Sequence, residues 1–450
     1  MAKMERPSWL GYILDSLRTE LAVASLRSLA LIVASKLLVL LSSILIARWL
    51  GADGFGVYAS LVAAALVLGV IAQLGLPTLL IRNLPVYEVR EKWGLMRGLL
   101  QRSNSVVVAS SLILAGIALA IAWNVGGGLS DTRGAAWLWA AALIPIASLN
   151  TMSASGLRGL RRVVSAQVSD ALIIPGLLFL LVGAWWVFGE SLGLDELSPD
   201  AAIALRFAVT AVAFLVGTAL LVKSLPPAVR NARPAYDNAN WMRAALPLFF
   251  LASATIITTQ TDVLMLFALQ GNASAGIYQT AARGAELITF SLLVVSGVVQ
   301  PTISRLHELG DLDRLQNVVT GAARFALVLA LPVALGLAVF AEPLLEFVYG
   351  AEFSRGAVCL MILSAAQVVN VSAGLVAQIL IMTGHVRDAA IGMTLGAVVN
   401  VLLNALLIPR WEIEGAAVAT GISLVVWSLF LSGRVKTKTG LASGAALLRR

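Results

Sequence analysis

Long, continuously apolar stretches dominate this 450-residue chain and limit the folds open to it. Each is about 20 residues long, which is what an α-helix needs to cross a hydrocarbon core of roughly 30 Å. The apolar residues do not alternate with polar ones, so the pattern predicts helices and not barrel strands. About 12 stretches are predicted to span the membrane: 28–48, 57–81, 104–125, 135–156, 166–188, 202–222, 245–268, 277–300, 319–340, 357–382, 389–408 and 414–433.

The composition excludes an ordinary water-soluble fold. The chain is 59% hydrophobic and only 12% charged, whereas soluble domains are about 45–50% apolar and about 25% charged. The segments between the apolar stretches are too short to form a separate catalytic domain. We therefore predict an all-α, polytopic membrane protein.

The positions of the basic residues predict how the chain is oriented. If both termini are cytoplasmic, most of the 32 Lys and Arg residues fall in cytoplasmic segments, as the positive-inside rule requires. An even number of spans in the cytoplasmic (inner) membrane follows. The net charge of +8 is then explained by orientation, and no nucleic-acid partner is predicted. The exceptions are Arg48, Arg133, Arg206, Arg355 and Arg410 in outer segments, and Lys36 and Arg283 within spans.

The charge pattern and the spans divide the chain into five predicted parts. Residues 1–26 suit an amphipathic helix on the inner leaflet, with a partly ordered leader as the alternative. Residues 27–222 form an N-lobe of six spans and residues 245–433 a C-lobe of six more. A basic, proline-containing linker at 223–244 is interpreted as a tether between the lobes, and residues 434–450 as a basic cytoplasmic tail.

A short internal repeat supports two equivalent halves. Residues 51–58 and 271–278 both read Gly-x4-Gly-[Val/Ile]-Tyr, 220 residues apart, and each copy follows the first span of its half. Six spans plus six in the same orientation imply a parallel repeat whose pseudo-two-fold axis lies along the membrane normal. Glycine suits the tight outer turn, and the tyrosines are predicted at the wet membrane interface.

Lys36 is one of four charged residues predicted deep inside the spans. A charge at a helix centre costs roughly 2.5–3.5 kcal/mol on insertion scales, so it usually faces a cavity or a partner. Its ammonium group is predicted to contact an anionic substrate. The alternative is that Lys36 snorkels or pairs with a neighbouring helix.

Asp262, Arg283 and Glu286 are the other three, on the seventh and eighth spans. Asp262 ends a polar stripe with Thr255, Thr258 and Thr259, and lies at the same predicted depth as Arg283. These charges either form a buried structural cluster or present Arg283 to a phosphate group. Gln260 and Gln279, on the same two spans, complete the predicted substrate-binding set.

Motifs for catalysis and cofactor binding are missing from the sequence. There is no P-loop, dinucleotide fingerprint, HExxH or nucleophile elbow, and the single cysteine, Cys359, allows no disulfide framework. His307 and His385 lie far apart in predicted inner loops. We expect a protein that is not an enzyme and that carries neither a metal nor a cofactor.

The order and spacing of several short segments resemble the bacterial oligosaccharide/polysaccharide flippases. This family belongs to the multidrug/oligosaccharidyl-lipid/polysaccharide exporter superfamily. The resemblance covers roughly residues 20–435, and its most characteristic segments are 44–64, 73–82, 259–288, 298–315, 342–363 and 381–423.

The resemblance implies two six-helix lobes around a central cavity that opens alternately to either side. The implied cargo is an undecaprenyl-pyrophosphate-linked oligosaccharide, moved to the outer leaflet for surface polysaccharide, including lipopolysaccharide, biosynthesis. Lys36 and Arg283 match expected cavity positions. Membrane lipids and other polysaccharide-assembly proteins are the implied partners. A cation-coupled multidrug extruder and a membrane-embedded glycan polymerase or ligase are the alternatives, disfavoured by the two cations and by the short outer loops.

Overall fold

All regular secondary structure in the described part of the chain is helical. A computed structural model describes residues 20–126, 132–189, 191, 197–442 and 444. The helices are α1 (Glu20–Gln73), α2 (Leu76–Val89), α3 (Trp93–Gly126), α4 (Thr132–Gly159), α5 (Val163–Gln167), α6 (Ile173–Phe188), α7 (Pro199–Ser224), α8 (Pro227–Asn231), α9 (Asn238–Gln270), α10 (Asn272–Glu286), α11 (Phe290–Glu308), α12 (Leu312–Val339), α13 (Ala341–Tyr349), α14 (Ala357–Ala373), α15 (Val376–Met382) and α16 (Val386–Thr439), with short helical turns linking some of them.

Nine helices among the described residues are long and apolar enough to cross a membrane. Two of these, α1 and α16, are 54 residues long and contain non-helical backbone near the middle, at Gly51 and at Trp411–Glu412. Each therefore makes two crossings of more than 20 residues. The helical segments Asn272–Gly297 and Thr302–Glu308, bent by 45° relative to each other, supply one more. Counted in this way, the described helices confirm the predicted architecture of about 12 spans.

Two further predicted spans differ from the observed helices. The predicted span 57–81 ends earlier, at Gln73, because Leu74 and Gly75 adopt positive φ angles of 49° and 76°. A Cβ on Gly75 would lie 2.4 Å from the backbone oxygen of Ala245, so the close approach of α9 requires glycine here. The predicted span 357–382 is interrupted at Gly374, where φ is 78°.

Packing divides the chain into two compact units, one comprising Leu31–Gln279 and the other comprising the described residues before Leu31 together with those from Thr280 onward. In the first unit, a core on α2, α3, α4 and α9 includes the fully buried side chains of Leu79, Leu99 and Leu157. Trp241, at the start of α9, is 4% exposed in this core and donates a hydrogen bond to the Tyr87 hydroxyl at 2.8 Å. The two lobes predicted from sequence were defined by the order of the spans, whereas these units are defined by packing. The predicted lobes and their boundaries therefore stay a prediction.

The predicted linker is fixed to the first unit. The Arg97 guanidinium donates to the backbone oxygens of Arg230 and Ala232 at 2.5 and 2.9 Å. The backbone N–H of Ala235 donates to the Gly94 oxygen at 2.9 Å. A Cβ on Gly98 would lie only 1.9 Å from the Ala235 oxygen. Backbone contacts therefore bind this segment to the start of α3, and its interpretation as a tether between the lobes stays a prediction.

The predicted terminal segments are described only in part. Most of the amphipathic segment at 1–26 lies outside the described residues, and the described helix begins at Glu20. The predicted tail starts inside α16, which continues to Thr439. Beyond it, Ala442 exchanges two hydrogen bonds of 2.7 Å with the Gln316 side chain, so this part of the tail is attached to α12.

The two copies of the repeat have the same local structure. Gly51 and Gly271 both interrupt helices, with φ of 65° and 89° and ψ of −177° in each. Such angles are accessible to glycine and costly for other residues, which explains the first glycine of each motif.

The second glycines of the motif bring the two copies together. A Cβ on Gly56 would lie 1.8 Å from the Asn272 backbone oxygen, and one on Gly276 would lie 2.3 Å from that of Ala52. Ala52 and Asn272 occupy equivalent places, so the contact is reciprocal, as a two-fold relation requires. Small residues allow such close helix packing in membranes. We call the contact formed by Ala52, Gly56, Asn272 and Gly276 the glycine seam.

Candidate functional site

Lys36 lies in the first crossing of α1, between Ala30 and the break at Gly51. Its side chain is exposed, and no carboxylate of the described residues lies within ion-pair distance of it. The predicted alternative of an ion pair with a neighbouring helix is thus not observed in the described chain. A charge in this position is the kind of intramembrane group that usually serves a substrate or ion pathway.

Asp262 is held in a protected hydrogen bond. Its side chain is 5% exposed, and the Tyr278 hydroxyl donates to its Oδ2 atom at 2.5 Å. Tyr278 is the tyrosine of the second repeat and is itself only 2% exposed. The prediction that this hydroxyl lies at the wet interface is wrong, because a buried carboxylate needs a donor close by. This geometry favours the structural role for Asp262.

The threonines before Asp262 do not share its environment. Thr255 and Thr259 are exposed, whereas Asp262 is buried, so the predicted stripe is not one continuous polar surface. Each threonine hydroxyl donates back to a carbonyl one turn earlier in α9, at 3.1 Å for Thr255 and 3.3 Å for Thr259. Gln260 and Gln279 are both partly buried, on α9 and α10.

Arg283 and Glu286 form the ion pair predicted from their i, i+3 spacing. The Arg283 guanidinium contacts both carboxylate oxygens of Glu286, at 3.1 and 3.2 Å. The side chains are 26% and 43% exposed, so the pair is open to one side. It ends α10, directly before a 3-10 turn at Leu287–Thr289. Helical irregularities of this kind often mark functional segments.

The predicted site residues belong to two packing units. Lys36, Gln260, Asp262 and Gln279 lie in the first unit, and Arg283 and Glu286 in the second. Among the six residues, the structure shows Arg283 and Glu286 in direct contact. The pairing of Asp262 with Arg283 stays a prediction.

Tyr349 is a buried polar residue to which the sequence did not point. It ends α13, a short helix between two spans, and is 5% exposed. Burial raises the pKa of the phenol, while the charge of Arg283 lowers it and that of Glu286 raises it. Both charges therefore act on the hydroxyl. The strong amphipathicity of residues 341–349 was the available sequence signal, but it does not show which spans the helix packs against.

Asp170 is a second omission, because it lies inside the predicted span 166–188. Its carboxylate accepts hydrogen bonds from Arg158 at 2.9 Å and from Asn150 at 3.2 Å. It sits in a π-helical turn, Val168–Leu172, that precedes Pro175. Proline removes a backbone donor and crowds the preceding turn, which explains the wider winding. The Oδ1 atom of Asn150 is buried without a hydrogen-bond partner among the described residues.

Comparison with known families decides the classification. A family model described as polysaccharide biosynthesis protein matches residues 25–307, more than half of the chain. The chain belongs to this family. A second model, described as lipid II flippase MurJ, matches residues 184–448. Together the two matches confirm the resemblance to polysaccharide flippases, and the apolar helices show that this family member is a multi-pass membrane protein.

A curated relative covers part of the chain. It is the probable low-salt glycan biosynthesis flippase Agl15 of Haloferax volcanii (strain ATCC 29605 / DS2), 25% identical over 165 residues. The match includes 37% of this chain and 35% of Agl15. The chain thus spans about a third of the length of the curated relatives that it matches.

Solved structures share the fold over nearly the whole chain. An inward-facing multidrug resistance MATE family transporter of the MOP superfamily superposes with a TM-score of 0.69 at 14% identity, covering 90% of this chain and 95% of the transporter. The lipid II flippase MurJ, in an inward closed conformation, gives 0.67 at 17% identity, covering 89% of this chain and 86% of MurJ. At such low identity the similarity concerns the fold alone.

Proposed function

We propose that this protein is a flippase that moves a lipid-linked oligosaccharide across the cytoplasmic membrane for surface polysaccharide biosynthesis. The carrier is undecaprenyl pyrophosphate, and both termini of the protein are cytoplasmic. Membership of the polysaccharide biosynthesis family supports the class of cargo. The observation that carries the proposal is Lys36, an exposed cation in the middle of a membrane crossing without an ion-pair partner in the described chain.

Lys36 has a physical purpose in this proposal. A sugar–pyrophosphate headgroup cannot leave water for hydrocarbon unless polar groups replace its hydration. An ammonium group provides a strong, charge-assisted contact for phosphate oxygens. Arg283, Glu286, Gln260 and Gln279 add polar contacts for the cargo, and Asp262 orders the helix pair that presents them.

In this proposal, the glycine seam is the contact that closes the route of the cargo across the membrane. With cytoplasmic termini, the breaks at Gly51 and Gly271 lie on the outer side, so the seam between Gly56 and Gly276 lies near the outer end of the crossings. In alternating access, this contact parts to release the cargo. Backbone packing without interlocking side chains suits a contact that must open repeatedly.

A cation-coupled multidrug extruder has weaker support. The fold is shared with the MATE transporter, so the fold alone does not separate the two functions. The sequence family and the charge of Lys36, which no carboxylate of the described residues neutralises, both favour an anionic cargo. Other polysaccharide-assembly proteins complete the proposed set of partners, together with membrane lipids.

A complementation experiment tests the proposal. In a strain that lacks the gene, surface polysaccharide is lost and its lipid-linked unit accumulates on the cytoplasmic side. Wild-type protein and Lys36→Arg should restore export, whereas Lys36→Ala should not, because only the first two place a cation in the crossing. Lys223→Ala is the matched control, since it removes an exposed lysine from the end of α7.

The measurements are the amount of surface glycan, the lipid-linked intermediates and the membrane-inserted protein. Lys36→Ala removes an intramembrane charge and should insert at least as well as the wild type. Normal export by this variant would contradict the proposed role of Lys36. A deletion strain with unchanged lipid-linked glycans would contradict the flippase function itself.

A further inference from the structure

Most of the net charge of this chain is concentrated on two segments that contact each other. Residues 76–102 and 225–243 contain eight basic and three acidic residues, a net charge of +5, against +8 for all 450 residues. The positive-inside rule keeps basic residues on one side of the membrane, but it does not require them to collect at one place. The eight basic residues are Arg82, Arg90, Lys92, Arg97, Arg102, Arg230, Arg233 and Arg243.

The two segments are joined through their backbones, inside the first packing unit. The backbone N–H of Ala235 donates to the Gly94 oxygen at 2.9 Å. A Cβ on Gly94 would lie 2.8 Å from the Arg233 oxygen. The Arg97 guanidinium donates to the Arg230 oxygen at 2.5 Å. The turn between α2 and α3 therefore lies directly beside the linker.

Four cations stand exposed around this contact, and we call them the basic platform: Arg90, Lys92, Arg230 and Arg233. The first two lie within four residues of Gly94, and the last two are carried by the docked linker. No carboxylate of the described residues lies within ion-pair distance of any of the four. Like charges held together destabilise a fold by mutual repulsion, so the arrangement favours a bound anion.

The platform lies where membrane crossings end. α3 crosses from Trp93 to Asn124, and α7 ends at Ser224, directly before the linker. The headgroups of phospholipids occupy this level. Exposed apolar side chains accompany the cations, since Val89 is 73%, Tyr236 56% and Met242 47% exposed. A surface that combines basic and apolar side chains is suited to the boundary between headgroups and acyl chains.

We propose that the basic platform binds anionic phospholipids, whose phosphates contact its guanidinium and ammonium groups. Arginine forms bidentate, charge-assisted hydrogen bonds to phosphate, and clusters of four or more cations beside a crossing attract anionic headgroups. Arg97 is a positioning residue, because it fixes the linker that carries two of the four cations. This inference goes beyond the proposed transport function and does not depend on it.

The test measures binding of fluorescent phosphatidylglycerol to the purified full-length protein in a neutral detergent. Fluorescent phosphatidylcholine is the probe without net charge. The wild type should bind phosphatidylglycerol more tightly, and the difference should shrink as salt is added, because ions screen exposed charges. Combining Arg90→Gln, Lys92→Gln and Arg233→Gln should weaken binding of phosphatidylglycerol at least about tenfold, since each charge near an anionic surface is worth about fivefold in affinity. Binding of phosphatidylcholine should not change.

A second triple variant is the matched control. Arg387→Gln, Lys436→Gln and Lys438→Gln remove three exposed cations from the second packing unit and change the net charge by the same amount. This protein should bind phosphatidylglycerol as the wild type does. Thermal midpoints are measured in parallel, and the platform variant should keep or raise its midpoint, because repulsion between the cations is reduced.

The positioning role of Arg97 has its own comparison. Arg97→Ala and Arg102→Ala each remove one charge from the start of α3, but the structure shows only Arg97 bonded to the linker backbone. Arg97→Ala should therefore weaken binding of phosphatidylglycerol more than Arg102→Ala does. Equal effects would exclude the positioning role.

The remaining outcomes decide the proposal. Unchanged binding by the platform variant would overturn it and leave an acidic protein segment as the alternative partner. Equal weakening by both triple variants would also overturn it, because total charge and not the platform would then attract the lipid. Equally tight binding of free glycerol phosphate would show a site for a soluble phosphate and not for a lipid. None of these measurements uses transport, so the proposed flippase function is tested separately.

Discussion

Replacing Gly276 with alanine tests the glycine seam. The added Cβ would lie 2.3 Å from the Ala52 oxygen and 2.9 Å from the Gly56 nitrogen. Carbon–oxygen contacts between helices are normally at least about 3.3 Å, so the two backbones must separate by about 1 Å. Overpacking of this kind costs about 1–3 kcal/mol. Alanine also gains about 1 kcal/mol over glycine from helix propensity, which partly hides the cost.

Gly116→Ala provides the matched control for this measurement. Gly116 lies within α3, and a Cβ there meets no atom within 4 Å. Gly116→Ala has the same gain in helix propensity and no overpacking. The two variants should therefore differ by about 1–3 kcal/mol in the free energy of unfolding. Reversible unfolding in mixed detergent–SDS micelles, followed by circular dichroism, gives this difference.

The comparison with Gly116→Ala has a clear refuting result. If Gly276→Ala is as stable as Gly116→Ala, the two repeats do not approach as closely as the structure shows. Gly56→Ala should behave like Gly276→Ala, since its Cβ would lie 1.8 Å from the Asn272 oxygen. The loss of stability in the double variant, with alanine at both Gly56 and Gly276, should be smaller than the sum of the two single losses. The first substitution has already separated the helices.

Three further predictions concern other contacts. Arg97→Ala should release residues 226–237 from α3 and speed their cleavage by protease in inside-out vesicles; an unchanged rate would contradict the linker contact. A double-mutant cycle of Asp170→Asn with Arg158→Met should give a coupling of about 1 kcal/mol, modest because both side chains are about one-third exposed; zero coupling would refute the ion pair. Burial raises the pKa of the Tyr349 phenol, so Tyr349 should ionise above the usual tyrosine value of about 10, and its contribution to stability should be lost as the pH rises beyond that value. Alkaline difference spectra of wild type and Tyr349→Phe measure this, and ionisation at the usual value would contradict it.

The apolar stretches predicted the crossings because hydrocarbon leaves the backbone little choice. Every peptide group in the membrane must be hydrogen-bonded internally, so an apolar run of about 20 residues forms a helix. The prediction failed at Leu74 and Gly75 and again at Gly374, where the breaks depend on local turn geometry and on the close approach of another helix. Hydropathy carries no information about such contacts.

The candidate site was less predictable because its geometry depends on which helices face each other. The ion pair between Arg283 and Glu286 follows from a local spacing, and the structure confirms it. The hydrogen bond of Tyr278 to Asp262 and the position of Tyr349 depend on packing between separate helices. The docked linker was missed for the same reason, since Gly94 and Gly98 gain their meaning only from residues more than 100 positions away.

The reciprocity of the glycine seam has a consequence for the origin of the chain. A six-helix ancestor that paired with its own copy would have placed one glycine against itself across a two-fold axis, so a single mutation would have altered both sides. Gene fusion frees the two sides to diverge. Asp53 corresponds to Ala273 in the other copy, and the hydrogen bond from Asn272 to Asp53, at 3.3 Å, exists in one direction only. The seam is thus two-fold symmetric in its backbone contacts and asymmetric in this side-chain contact.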